Sequence, residues 1–177
     1  RSGKAWACAR FASAVCAARQ FRAIRTRAPN MLFDHCAQCR RCCHIDPGYP
    51  ALEVTLTQAE KKIHGSICIQ TECTHLGAAG CSLGDSKPFS CKLYPLSFNP
   101  TSKLFSFDAD CPLMPEYQQQ LQDETSEASL HLALMSEQVL QLAKTDPKFL
   151  QKNHGVDADY FDLQPLRPSN LPEAKPP

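Results

Sequence analysis

The sequence predicts an α+β fold: a small, irregular, cysteine-rich metal-binding domain with short strands and helices, followed by a long C-terminal helix and a proline-rich tail. Three observations predict it. Nine of the 11 cysteines fall between residues 31 and 115, a stretch punctuated by Gly77, Gly80, Gly84 and seven prolines, which is loop composition. Within it the apolar runs are brief and alternating, as in short strands. Beyond Pro115 the apolar residues recur in steps of three and four, the period of a helix.

The first segment, 1–30, is a basic extension. It holds Arg1, Lys4, Arg10, Arg19, Arg22, Arg25 and Arg27 and no acid, so a transit-like peptide, a basic arm and translated upstream sequence ahead of Met31 all suit it. The whole chain, 177 residues with a formal net charge of +1, has room for one domain with appendages, and its balance gives no reason to expect nucleic acid as a partner. No apolar run is long enough for a membrane span or a secretory core, so the expected setting is the cytoplasm.

Residues 31–115 form the expected cysteine-cluster domain. Leu52 to Leu56 alternates as a strand; Thr57-Gln58-Ala59-Glu60 then spells a capping box, with Thr57 at the N-cap and Glu60 reaching back, opening a helix toward His64. Leu104 to Phe107 reads as a strand that closes a hairpin with Pro95 to Asn99 through the turn Asn99-Pro100-Thr101-Ser102. Residues 116–146 read as one amphipathic helix carrying Leu121, Ala128, Leu132, Met135, Val139 and Leu142 on a stripe, stopped by Asp146-Pro147. The stripe packs on the cysteine region, or serves a protein partner or a second copy of the chain. Residues 147–177, with five prolines after Asn153, read as an extended tail.

The chemistry lies in Cys36-x2-Cys39-x2-Cys42-Cys43. Two-residue gaps let the thiolates of one tight loop turn toward a common centre, and both zinc and iron–sulfur clusters prefer soft anionic sulfur. Cys42 and Cys43 are adjacent, and neighbouring side chains tend to point apart, so the pair is expected to serve two centres or one polynuclear cluster. Cys73, Cys81, Cys91 and Cys111 complete a candidate set of eight metal ligands. Cys8, Cys16 and Cys68 read as inert buried thiols, since an odd total and a vicinal pair argue against a disulfide framework. His35, His44 and His75 flank cysteines without any HExxH pattern, and more often such residues support ligands than act as ligands. Arg40 and Arg41 sit inside the loop, where cations offset the negative charge of a thiolate set. Phe89 and Tyr94 beside Cys91 are expected to pack as ordinary core.

On these residues the chain resembles the YkgJ-type CxxCxxCC cysteine-cluster family, a zinc- or iron-chelating domain that also occurs in flagellin lysine methylases. The resemblance spans Phe33 to Pro115. It is carried by the founding cysteine motif, by Val54-Thr55-Leu56-Thr57-x2-Glu60, by Gly80-Cys81 with Lys87-Pro88-x2-Cys91-Lys92-x-Tyr94-Pro95, and by Cys111-Pro112. The family's eight cysteines fall on the same eight candidates. Lys87 and Lys92 stand where that family usually has arginine, which keeps the charge and loses the bidentate fork. The resemblance implies metal binding and little about a reaction.

Three expectations of function follow: a metal-binding protein holding zinc or an iron–sulfur centre; an enzyme, either an iron–sulfur redox protein or a relative of protein-lysine methylases; or a metal-stabilised interaction module. The second is the weaker case, because no glycine-rich nucleotide loop of the GxGxxG kind is present and little chain remains for a cofactor domain. No catalytic residue stands out.

Overall fold

The structure, a computed structural model, describes Phe33 and residues 35–166. The basic extension, Cys8 and Cys16, and the last eleven residues of the expected tail lie outside the described residues, as does the side chain of Cys36. The architecture is mixed: short helices alternate with three small antiparallel sheets.

The cysteine motif opens with one helical turn, α1 (Cys36–Cys39). Arg40 then takes a left-handed conformation at φ 57°, which breaks the helix and throws the chain into a separate 3-10 turn over Arg41–Cys43. Strand β1 (Leu52–Glu53) is shorter than the alternation suggests and pairs with β2 (Cys68–Ile69). Val54 continues the pairing for one more bond, its N–H donating to the Ile67 carbonyl at 2.9 Å. Between these strands runs α2 (Gln58–His64), whose capping box is present in full: Thr57 Oγ1 accepts from the Glu60 N–H, and Glu60 Oε2 accepts from the Thr57 N–H.

Strands β3 (Leu76–Gly77) and β4 (Gly80–Cys81) make a tight hairpin, and Gly80 at φ +95° supplies a backbone conformation that a side chain would strain. A second 3-10 turn leads to α3 (Phe89–Leu93), and a cis peptide joins Tyr94 to Pro95. The expected hairpin follows, with β5 (Leu96–Asn99) against β6 (Leu104–Asp108). Its turn is held by Asn99 Oδ1, which accepts from the N–H groups of Thr101 and Ser102.

The C-terminal part departs from the expected single helix and tail. Instead of one helix over 116–146 there are two, α4 (Met114–Gln120) and α5 (Glu127–Thr145). The break is local chemistry: Asp123 accepts from the N–H and hydroxyl of Thr125, and Ser126 caps the new helix by accepting from the Ser129 N–H. Asp146-Pro147 ends α5 and starts a third helix, α6 (Pro147–Tyr160), with Asp146 as N-cap and Pro147 in its first turn. After it, β7 (Leu163–Pro165) adds an outer strand to β6, so residues 147–166 are folded rather than tail.

Two apolar clusters hold these pieces. The larger joins Phe33, Phe89, Leu93, Leu96, Cys111, Met114 and Tyr117 to Ala128, Met135, Val139, Phe149 and Leu150, so it draws on both sides of Pro115. The stripe on α5 therefore faces this core, with Leu121, Leu132 and Leu142 packed at its margin. The smaller gathers Leu52, Val54, Leu56, Ile67 and Ile69, with Cys73 and Cys91 against it. Among the described residues no helix is long and apolar enough to cross a membrane.

Candidate functional site

The cysteines are brought together by backbone pairing first. The Cys73 N–H donates to the Cys43 carbonyl at 2.8 Å, Ile45 does the same to Thr71 at 2.8 Å, and His44 bridges Glu72, so the stretch after the 3-10 turn is sewn to the stretch before the β3–β4 hairpin. That hairpin carries Cys81 back alongside Cys73, with the Ser82 N–H on the His75 carbonyl at 2.8 Å. Helix α3 delivers Cys91. Its start is fixed from α2, since Glu60 Oε1 accepts from the Phe89 N–H at 2.7 Å, and Ser90 Oγ donates to the Thr55 carbonyl at 2.8 Å.

The thiols interact accordingly. The Cys43 thiol is pulled down to about 7 by its hydrogen bond with Cys42, then by Lys87, by contact with Cys73 and by Arg40, all working against burial. Burial pushes Cys91 up to about 12, opposed by Lys87, with Cys43 and Cys81 adding like charge. Cys73 is raised by burial and by Cys43 and Cys81, while the His75 N–H bonded to its sulfur works the other way. Cys42 and Cys43, expected to diverge, are in hydrogen-bond contact; successive residues of a 3-10 turn sit about 120° apart rather than on opposite sides as in a strand.

Cys39, which precedes the left-handed corner at Arg40, acts on Cys111. Cys111 is raised chiefly by burial, accepts a bond from the Leu113 N–H, and feels Cys39 as a like charge. Tyr94 joins this group. Its hydroxyl donates to Asp108 Oδ2 at 2.8 Å and contacts Cys111, and burial holds it protonated far above its ordinary range. Phe89 is buried as expected, stacked edge-on against Phe149 at 5.8 Å.

Cys68 departs from its reading as an inert thiol: it is disulfide-bonded. The flanking histidines fall on different duties. His44 Nε2 stands 3.7 Å from Glu72, whose other oxygen faces Arg40 at 3.6 Å. His35 packs on Phe33 at 4.8 Å between ring centroids, and its buried Nε2 has no hydrogen-bond partner among the described residues. Arg41 is spent on a two-pronged pair with Asp46, at 2.9 and 3.2 Å.

Donor chemistry decides whether these residues fit a metal. N–H groups bonded to the sulfurs of Cys73 and Cys111 and the cations Lys87 and Arg40 favour thiolate, the form that zinc and iron require, while burial and neighbouring thiols hold Cys73, Cys91 and Cys111 raised. Lys87 is only 7% exposed, an unusual place for a lysine, and it acts on both Cys43 and Cys91. Among the described residues no three His, Cys, Asp or Glu side chains already stand as ligands of one ion, and the side chain of Cys36 lies outside that set. The donors are thus chemically suited and gathered, without a finished coordination shell. The sequence marked Lys87 only as a motif residue before Cys91; its burial beside Cys43 and Cys91 is what the structure adds.

Comparison with protein families, with curated proteins and with solved structures finds no match to this chain.

Proposed function

We propose that the chain is a metal-binding protein in which Cys36, Cys39, Cys42, Cys43, Cys73, Cys81, Cys91 and Cys111 hold zinc or an iron–sulfur centre, in keeping with its resemblance to the YkgJ-type cysteine-cluster family. One observation carries this reading: the adjacent thiols of Cys42 and Cys43 are in contact, and Cys43 also meets Cys73 from a separate stretch of chain, beside the buried cation Lys87. Crowded thiols with a buried positive charge are costly to assemble for packing alone, whereas ligation to a cation recovers the cost of bringing like charges together. When bound, such a metal supplies cross-linking of the loop-rich half and, if iron, electron transfer. The protein's own groups orient and charge-balance the sulfurs. The test is metal removal. Measured against the same reducing buffer without chelator, so that loss of the Cys68 disulfide is common to both, chelation is expected to lower the thermal transition and reduce far-UV ellipticity, and an unchanged transition would remove a structural metal from the account.

A second reading is supported by α5. Although its stripe faces the core, Leu130 and Leu134, one turn apart, are 44% and 38% exposed. We infer that this face supports self-association, and sedimentation that shows a monomer at every concentration would contradict it.

A further inference from the structure

Cys43 and Cys73 come from separate stretches of chain, yet they stand opposite one another. The bridge between His44 and Glu72 is antiparallel, so the next pair in its register is Cys43 with Cys73. The backbone bonds agree: the Cys73 N–H donates to the Cys43 carbonyl at 2.8 Å, and the Ile45 N–H donates to the Thr71 carbonyl at 2.8 Å. Opposed residues of antiparallel strands sit about 4.5 to 5.5 Å apart at Cα. That lies inside the span of about 4.4 to 6.8 Å that a disulfide bridges. The side chains share a side as well, because the two sulfurs are in hydrogen-bond contact. Both residues are partly exposed, within reach of a small molecule from solvent.

The other thiols are placed differently. Cys42 also touches Cys43, but a disulfide between adjacent residues closes a small ring across their trans peptide, which resists the distortion. Cys91 is hydrogen-bonded to Ser90, and Cys111 to Tyr94 and the Leu113 N–H, while Cys39 and Cys81 act on their neighbours as like charges. Cys68 is already disulfide-bonded.

We propose that Cys43 and Cys73 are a site of oxidative modification, joined as a disulfide when the protein meets a hydroperoxide. One of the two sulfurs attacks the peroxide: an S–O bond forms, the O–O bond breaks, and water leaves when the oxidant is hydrogen peroxide. The second sulfur then attacks the resulting sulfenic acid, forming the S–S bond and releasing another water. The thiol pair loses two electrons and two protons, and the peroxide takes up both. The bond rests on where these residues stand and not on a metal. Its consequence does rest on the metal reading, since a sulfur held in a disulfide has lost the anionic charge that zinc and iron require, so oxidation releases the ion.

The test uses the full chain, purified without oxygen or reductant and assayed for metal, then treated with one equivalent of hydrogen peroxide. Remaining thiols are alkylated, the protein is digested, and disulfide-linked peptides are located by tandem mass spectrometry, with links present before peroxide subtracted. The expected result is a new link from residue 43 to residue 73 that predominates over every other, with loss of one pair of free thiols. A new link that falls chiefly on another pair, or oxidation that proceeds to sulfinic acids without a link, would overturn the proposal. Metal that stays bound to the linked protein would overturn its consequence. Linked protein that never carried metal would count against the metal reading alone, and metal-bearing protein that gives no link would count against the disulfide alone.

Discussion

Lys87 shows how a single side chain sets the character of its neighbours. It is buried beside Cys43 and Cys91 and favours the anion of each, helping to bring Cys43 down to about 7 and opposing the burial that holds Cys91 up at about 12, so charge on these sulfurs is countered from inside the protein. Replacing it by methionine is expected to weaken metal binding roughly tenfold, as measured by competition with a chelating dye, while Lys87→Arg retains affinity. An unchanged affinity for Lys87→Met would take the residue out of the site. Asp157 gives a pH signature away from the thiols. Burial, with Asp108 adding like charge, raises its carboxyl to about 7 from 3.8, even though Ser97 Oγ donates to it at 2.7 Å and the Asn153 amide at 2.9 Å. The folded chain therefore keeps a proton that the unfolded chain gives up first. Stability from this group is complete below about pH 4, falls as pH rises toward 7, and is level above. Asp157→Asn is expected to flatten that part of the curve and to be at least as stable as the parent at pH 7.5, by thermal melts across the range.

At the scale of elements, two carboxylates pin helix starts to each other. Glu60 caps α2 through Thr57 and also accepts from the first N–H of α3, so it couples the capping box to the helix that bears Cys91. Asp146 caps α6 through the Phe149 N–H and accepts from the Gln58 N–H of α2 at 3.0 Å. Asp146→Ala is expected to cost about 1 kcal/mol in urea unfolding, and Glu60→Ala more than Thr57→Ala, which removes only the cap at about 1 kcal/mol. Equal losses for Glu60→Ala and Thr57→Ala would mean that the bond to Phe89 contributes nothing.

These elements also show what was legible in the sequence. The capping box at Thr57 and the turn at Asn99 were readable because their bonds join residues two or three apart. The break in the C-terminal helix was hidden in the seven-residue step from Leu121 to Ala128, across which Asp123 and Ser126 cap instead of continuing the turn. Asp146-Pro147 misled because proline serves a helix's first turn as readily as its end. Strand β7 was out of reach, since its pairing joins residues about sixty positions apart and depends on the fold around it. For the site, spacing picked out the clustered cysteines; the left-handed corner at Arg40, which ends α1 within the motif, is a backbone conformation that no residue type announced.

For the whole molecule, the larger core joins the last helices to the cysteine region, whereas the smaller core rests directly on Cys73 and Cys91. Loss of metal is therefore expected to loosen the β1–β2 region and the β3–β4 hairpin before α5 and α6, visible as earlier hydrogen exchange in the former. The most direct measurement is elemental analysis with a UV-visible spectrum on protein purified without oxygen. The account predicts bound metal in either of two forms: zinc with a colourless solution, or iron with sulfide and a broad charge-transfer absorption. Protein that carries neither metal and folds fully without it would contradict the central claim.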